Sequence, residues 1–166
     1  MRLRPRCRKR HGASMIEAAL IILLFITIIL SMIDLGVAVL RYNLLSEAAR
    51  QGARQAIVHG NLAPSNWNGG PWSPKSGYPG VNPYKVSASS SSDAIASGIR
   101  AYLPTIDPSK VNITVQWPDG DILLNQRVQV TLTYTYQPMT TFFVPITLTA
   151  TSTMPIAHSN NNSSGF

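Results

Sequence analysis

Cysteine and histidine are scarce in this sequence, and their scarcity excludes several kinds of site. Cys7 is the one cysteine among 166 residues, so an intrachain disulfide and a cysteine-based zinc site are both excluded. His11, His59 and His158 lack ligand spacing, and we expect no metal site and no cofactor. The G-x-S-x-G, P-loop, H-E-x-x-H and G-x-G-x-x-G motifs are also missing, so we expect no enzymatic activity.

Positive charge is concentrated at the N-terminus. Six of the 14 Lys and Arg residues lie in the first ten positions, within a basic cytoplasmic leader assigned to residues 1–12. The eight basic residues that follow are balanced by seven acidic ones, so the remaining chain is almost neutral. A nearly neutral body offers no basic face to nucleic acid, and we expect no nucleic-acid partner.

An apolar run follows the leader. Residues 18–33 carry no charge, and residues 15–34 supply the roughly 20 helical positions that cross a bilayer core of about 30 Å. The excess of Lys and Arg before this span predicts a single-pass protein of the cytoplasmic membrane, with a cytoplasmic N-terminus and an extracytoplasmic C-terminal domain. A secretory signal cleaved at Ala38 is the alternative interpretation, because Gly36-Val37-Ala38 resembles a small-x-small cleavage site.

The helical pattern continues beyond the span as an amphipathic helix. Small and apolar residues recur there at spacings of three and four, namely Leu44, Leu45, Ala48, Ala49, Gly52, Ala53, Ala56 and Ile57. We therefore predict one helix over residues 13–59, about 70 Å long at 1.5 Å per residue. Its first half would lie in lipid, and its second half would offer an apolar stripe to the domain outside.

Residues 60–92 interrupt this regularity. The segment is rich in Pro, Gly and Ser and is predicted to be a long loop. Four aromatic residues within it have two interpretations, a recognition surface or anchors that pin the loop to the domain: Trp67, Trp72, Tyr78 and Tyr84.

Residues 93–158 are predicted to form a small domain. Ser92 or Asp93 can cap a short helix that extends to about Leu103, with its buried side marked by Ile95, Ile99, Tyr102 and Leu103. Three segments then alternate apolar and polar residues as half-buried strands do, namely 111–117, 128–136 and 146–154. The predicted fold is α+β, in which the amphipathic half of the long helix packs on a small three-stranded antiparallel sheet. Residues 159–166 are predicted to be disordered.

Three acidic positions invite a functional interpretation. Glu17 either completes a Ser14-x-x-Glu17 capping box or, as a costly carboxylate in the membrane, finds a partner during assembly. Asp34 is predicted to be a solvated acid at the outer interface. Asp119 and Asp121 flank Gly120 and are predicted to lie in a solvated turn rather than in a cation site.

The junction between leader and span resembles a type IV prepilin signal. The resemblance rests on the basic leader, Gly12, Glu17 and the apolar helix behind them, and it implies cleavage between Gly12 and Ala13 by a prepilin peptidase. The wider chain resembles the TadE-like family of pseudopilins from tight-adherence pilus systems, through residues 12–20 and the Ala/Arg/Gly-rich patch at residues 48–54. Ala18 departs from the aromatic residue usual after the glutamate in major subunits, and the large domain departs from their short length.

The resemblance implies a minor pilin or pseudopilin that assists assembly of a tight-adherence pilus or secretion filament. Its implied partners are the membrane, other pilin-like subunits, a prepilin peptidase and a pilus assembly platform. In that role Glu17 would neutralise the new N-terminus or set the register of a neighbouring subunit. The alternatives are an uncleaved, signal-anchored extracytoplasmic binding protein and a membrane-tethered hydrolase.

Overall fold

One long helix runs through most of the first sixty residues. The computed structural model describes residues 11–60, 63, 70–75, 78–123, 125–140 and 144–157, so most of the basic leader and the C-terminal tail lie outside it. Helix α1 spans His11–Val58, 48 residues rich in Ala, Leu and Ile and free of proline. The predicted long N-terminal helix is confirmed.

The two halves of α1 have different surroundings. Between Met15 and Leu40 the large apolar side chains are exposed, except that of Val37, which is half-buried, and none of the most apolar stretch is buried within the protein. Further along, one leucine and four alanines of the predicted stripe are at most 5% exposed, namely Leu45, Ala48, Ala49, Ala53 and Ala56. Because these side chains are mostly alanine, the helix backbone approaches the underlying sheet closely.

Two short strands, β1 (Trp72–Ser73) and β2 (Tyr78–Pro79), pair in parallel. Four further strands form an antiparallel sheet, namely β3 (Tyr84–Ser87), β4 (Val111–Gln116), β5 (Arg127–Tyr136) and β6 (Ile146–Pro155). Their order in the sheet is β3-β4-β5-β6, and the second half of α1 packs on this sheet. Burial alternates along β4 and β5, so every second side chain enters the core.

The prediction of three strands is wrong, because β3 adds a fourth. Strand β3 comes from the end of the segment read as a loop, and it pairs with β4 so that Val86 lies opposite Ile113. It is four residues long and lies between Pro83 and a serine tract. A pattern so short is indistinguishable from a loop in the sequence, since the strand depends on pairing with distant residues rather than on local propensity.

Helix α2, Ala94–Arg100, lies beside α1. Asp93 is its N-cap, because the Asp93 carboxylate accepts a hydrogen bond from the Ala96 N–H at 2.9 Å. Ile95, Ile99 and Leu103 are buried as predicted. The prediction for Tyr102 is wrong: its side chain is 44% exposed, because the helix ends at Arg100 and the following turn directs Tyr102 outward.

The sheet has one end near the membrane-length segment and one end away from it. Tyr136 lies opposite Ile146 at the end of the sheet where the Tyr136 hydroxyl donates to the Asp34 carbonyl oxygen on α1, at 3.2 Å. We call this the proximal end. Arg127 and Pro155 pair at the other, distal end.

Gly52 provides the test of the packing between α1 and the domain. A Cβ at Gly52 would lie 2.9 Å from Ile99 Cδ1 and 3.3 Å from Val130 Cγ1, whereas a Cβ at Gly36 would meet nothing within 4 Å. We expect Gly52→Leu to destabilise the domain by about 1–3 kcal/mol through overpacking. For a domain of this size, each kcal/mol of destabilisation lowers Tm by roughly 4–8 °C.

The matched control is Gly36→Leu, on the same helix. Thermal unfolding of both variants in detergent, followed by near-ultraviolet circular dichroism, distinguishes packing from helix propensity. Equal Tm values for the two variants would show that Gly52 is not a close contact.

Candidate processing and assembly site

Gly12 lies on an accessible first turn of α1. The helix is already present at His11, Gly12 is exposed, and no atom lies within 4 Å of a Cβ at that position. Among the described residues, none therefore blocks the approach of another protein to Gly12.

Glu17 is an exposed carboxylate at the beginning of the apolar half of α1. The three ion pairs among the described residues join other side chains. The capping-box interpretation is wrong for this structure, because Ser14 lies inside a helix that is already formed at His11 and so cannot be its N-cap. The Glu17 carboxylate thus has no ionic partner among the described residues, and it is exposed.

The other polar side chains of the span satisfy their hydroxyl groups within the helix. Thr27 donates to the Leu23 carbonyl at 2.9 Å, and Ser31 donates to the Thr27 carbonyl at 2.7 Å. Such bonds to the carbonyl four residues earlier let hydroxyls enter an apolar environment at low cost. Glu17 has no equivalent arrangement, and its position on the span is therefore chemically distinct.

Asp34 is not the solvated acid that the sequence predicted. Its residue is 5% exposed, and its carboxylate accepts from the Met139 N–H at 3.0 Å and from the Thr140 N–H at 3.1 Å. The Thr140 hydroxyl donates to the same carboxylate. The loop between β5 and β6 supplies these donors, and nothing in the local sequence around Asp34 indicates that it folds back there.

Arg41 and two tyrosines lie close to Asp34. We call the group the junction cluster; it consists of Asp34, Arg41, Tyr134, Tyr136 and Thr140. The Arg41 guanidinium lies 5.1 Å from the Tyr136 ring centroid and 5.7 Å from that of Tyr134, and it donates to the Tyr134 hydroxyl. Burial, followed by the Asp34 charge, raises the pKa of Tyr136, so its hydroxyl stays protonated and able to donate. The i, i+2 spacing of the tyrosines was the available sequence signal, because it puts both on one strand face.

Asp119 and Asp121 each have a basic partner rather than a shared cation. Arg127 Nη2 lies 2.8 Å from Asp119 Oδ1, and Lys75 Nζ lies 3.0 Å from Asp121 Oδ2. No group of three potential metal ligands occurs in the described parts of the chain. The Asp119–Arg127 pair joins the two ends of the connection between β4 and β5.

The aromatic residues that the structure describes between 60 and 92 support the anchoring interpretation. Trp72 is 2% exposed and stacks on His59, with ring centroids 4.2 Å apart. The Tyr84 hydroxyl donates to the Asp93 carboxylate, so it ties the loop to the cap of α2. Trp67 and the side chain of Tyr78 lie outside the described residues.

The comparisons with known proteins agree with the membrane-length helix. Within the described residues, one helix is long and apolar enough to cross a membrane, and it lies near the N-terminus. Residues 12–54 match the TadE-like protein family. The predicted resemblance is confirmed over this segment, and it points to a protein with an N-terminal membrane anchor that is associated with a tight-adherence pilus system. No curated protein and no solved structure matches the chain.

The Ala/Arg/Gly-rich patch of the TadE-like segment has a clear physical role. Its small residues Ala48, Ala49 and Ala53 are at most 1% exposed against the domain, while Arg50 and Arg54 are exposed. The alanines of the patch therefore form a close contact with the domain, while its arginines face solvent. The TadE-like segment thus contains both the apolar half of α1 and the part that holds the domain.

The Asp119–Arg127 pair predicts a specific pH dependence of stability. The hydrogen bond from the Arg127 side chain holds the pKa of Asp119 below its ordinary value. A carboxylate with a depressed folded-state pKa stabilises the fold fully above its unfolded pKa of about 3.9, and this contribution disappears as pH falls through the folded-state pKa.

We therefore expect Asp119→Asn to lower Tm at pH 7 and to lower it by less at pH 2. Differential scanning calorimetry of both proteins across this range measures the effect. A difference in Tm that is the same at both pH values would exclude an ionic contribution.

Proposed function

We propose that the chain is a non-enzymatic minor pilin or pseudopilin that assists assembly of a tight-adherence pilus or secretion filament. The observation that carries the proposal is the apolar half of α1. It exposes large apolar side chains to the surroundings and carries the Glu17 carboxylate, which forms no ion pair among the described residues. An apolar helix of this kind needs lipid or other helices around it. When the subunit leaves the membrane, a filament core of packed helices takes the place of the lipid. The match over residues 12–54 supports the same function.

The proposed orientation follows from the basic leader. Six basic residues before the span keep the N-terminus in the cytoplasm, and the α+β domain is outside the cytoplasmic membrane. In this orientation Gly12 is at the cytoplasmic surface, where a prepilin peptidase acts. Other pilin-like subunits and a pilus assembly platform are the further proposed partners.

Processing removes the leader and creates a positive α-amino group at Ala13. Glu17 lies four residues along the helix from that group, about 6 Å of axial rise. A carboxylate in the hydrocarbon is unfavourable by roughly 2.5–3.5 kcal/mol at the bilayer centre and by less near its edge, so a cationic partner is stabilising. In a packed filament, the new N-terminus of a neighbouring subunit supplies this partner and sets the stagger between subunits.

The rival function, display of a binding domain on an uncleaved anchor, has less support. It requires the aromatic residues between 60 and 92 to form an open surface. Of these, Trp72 is stacked on His59 inside the domain, and Tyr84 is hydrogen-bonded to Asp93. Those side chains are occupied with internal packing.

Mass analysis of the N-terminus tests processing. In the membrane-extracted protein we expect the first residue to be Ala13, with or without a methyl group on its amine. Gly12→Leu should block this cleavage, because the peptidase cleft must then accept a bulky side chain, while Gly36→Leu should not. Recovery of the intact leader in the wild-type protein would contradict the processing step.

Exchange of Glu17 for Gln tests assembly. We expect normal membrane insertion, but incorporation into or promotion of sheared filaments should fall about tenfold, as a loss of about 1.4 kcal/mol produces. Glu47→Gln is the matched control, since it makes the same change on an exposed position of α1 outside the span. Quantitative immunoblotting of membrane and sheared fractions separates the two effects, and equal filament yields from both variants would argue for the binding-protein alternative.

A further inference from the structure

The loop between β5 and β6 is held at the outer end of the membrane-length segment. Asp34 fixes it there, because both carboxylate oxygens accept hydrogen bonds from the backbone of Met139 and Thr140. The carboxylate is 19 residues beyond Met15, about 29 Å along the helix, which matches the thickness of a bilayer core. Asp34 therefore lies at the level of the outer headgroups, and so do Met139 and Thr140, which are hydrogen-bonded to it.

The same loop carries the most exposed apolar side chains of the described domain. Met139 is 83% exposed and Val144 is 80% exposed, while Ile146 at the start of β6 is 48% exposed. The other large apolar residues exposed outside α1, Val81 and Tyr102, are 51% and 44% exposed. Residues 137–146 contain no charged residue in the sequence.

An apolar surface connects this loop with α1. A cleft of about 100 Å³ at the proximal end is lined mostly by apolar residues, including Leu35, Ala38, Pro138 and Ile146; Asp34 and Tyr136 also line it. Pro138 and Ile146, on either side of the loop, thus continue the lipid-facing surface of the helix. A surface continuous with a membrane span, at headgroup level and without charge, matches the chemistry of a lipid interface.

We propose that the two described ends of the β5–β6 loop, residues 137–140 and 144–145, form a second membrane contact. The side chains of Met139 and Val144 enter the outer headgroup–acyl boundary beside α1. The contact fixes the tilt of the domain on the bilayer, because α1 and the loop hold it at two separate points. It depends only on α1 spanning the membrane and is independent of the proposed role in filament assembly.

Spin-label depth measurements test this contact. In a Cys7→Ser background, Val144→Cys is labelled with a nitroxide in nanodiscs of phosphatidylethanolamine and phosphatidylglycerol, at one protein copy per disc. Val81→Cys is the matched control, because the neighbouring Asn82 is hydrogen-bonded to Trp117 near the distal end. Trp117 is about 26 Å along the sheet from Tyr136. Oxygen and a water-soluble nickel chelate report lipid and water access by power-saturation electron paramagnetic resonance.

We expect the ratio of oxygen access to nickel access to be higher at position 144 than at position 81. Equal ratios would overturn the proposal, and so would protection that appears only in discs with several copies, which would assign the loop to a neighbouring subunit. Met139→Cys repeats the measurement if the label at position 144 prevents folding. Asp34→Asn should shift the label at position 144 towards water, and an unchanged depth would overturn the role of the Asp34 hydrogen bonds.

Discussion

The structure depends on one constraint: the two halves of the single helix α1 must each suit a different environment. The first half suits lipid or other helices, and the second half suits the core of the domain. The first half of α1 exposes large apolar side chains and hydrogen-bonds its own hydroxyls, as at Thr27 and Ser31, so lipid or packed helices suit it. The second half replaces those large residues with alanine and glycine, and it forms one wall of the domain core. Because the helix has no break between His11 and Val58, the orientation of the domain is tied to that of the span.

The junction cluster is where the two environments meet. Asp34 would be costly in lipid if it were alone, but the loop between β5 and β6 supplies three donors and removes the need for bulk water. Arg41, two turns further along, rests against Tyr134 and Tyr136 and so anchors the same strand end. The domain is thus attached to α1 by packing along the stripe and by polar contacts at its membrane end.

The elements with strong local signals were predictable from the sequence. The length of the apolar run determined α1, and the alternation of β-branched and polar residues determined β4, β5 and β6. What the sequence could not provide was the set of distant partners. Strand β3 exists through pairing with β4, and the burial of Asp34 requires residues more than a hundred positions away. The capping box at Ser14 failed because the helix is already formed at His11, and the roles of Gly12, Ala13 and Glu17 stay predictions.

The continuity of α1 from the span into the domain is the central claim, and a distance across the junction tests it most directly. Nitroxides at Leu20→Cys and Arg50→Cys, in the Cys7→Ser background and in nanodiscs, can be measured by double electron–electron resonance. Thirty residues of uninterrupted helix predict one narrow distribution near about 45 Å between the labelled backbone positions. A broad distribution, or a distance shorter by more than the reach of the labels, would mean that the helix breaks at the junction and that span and domain move independently.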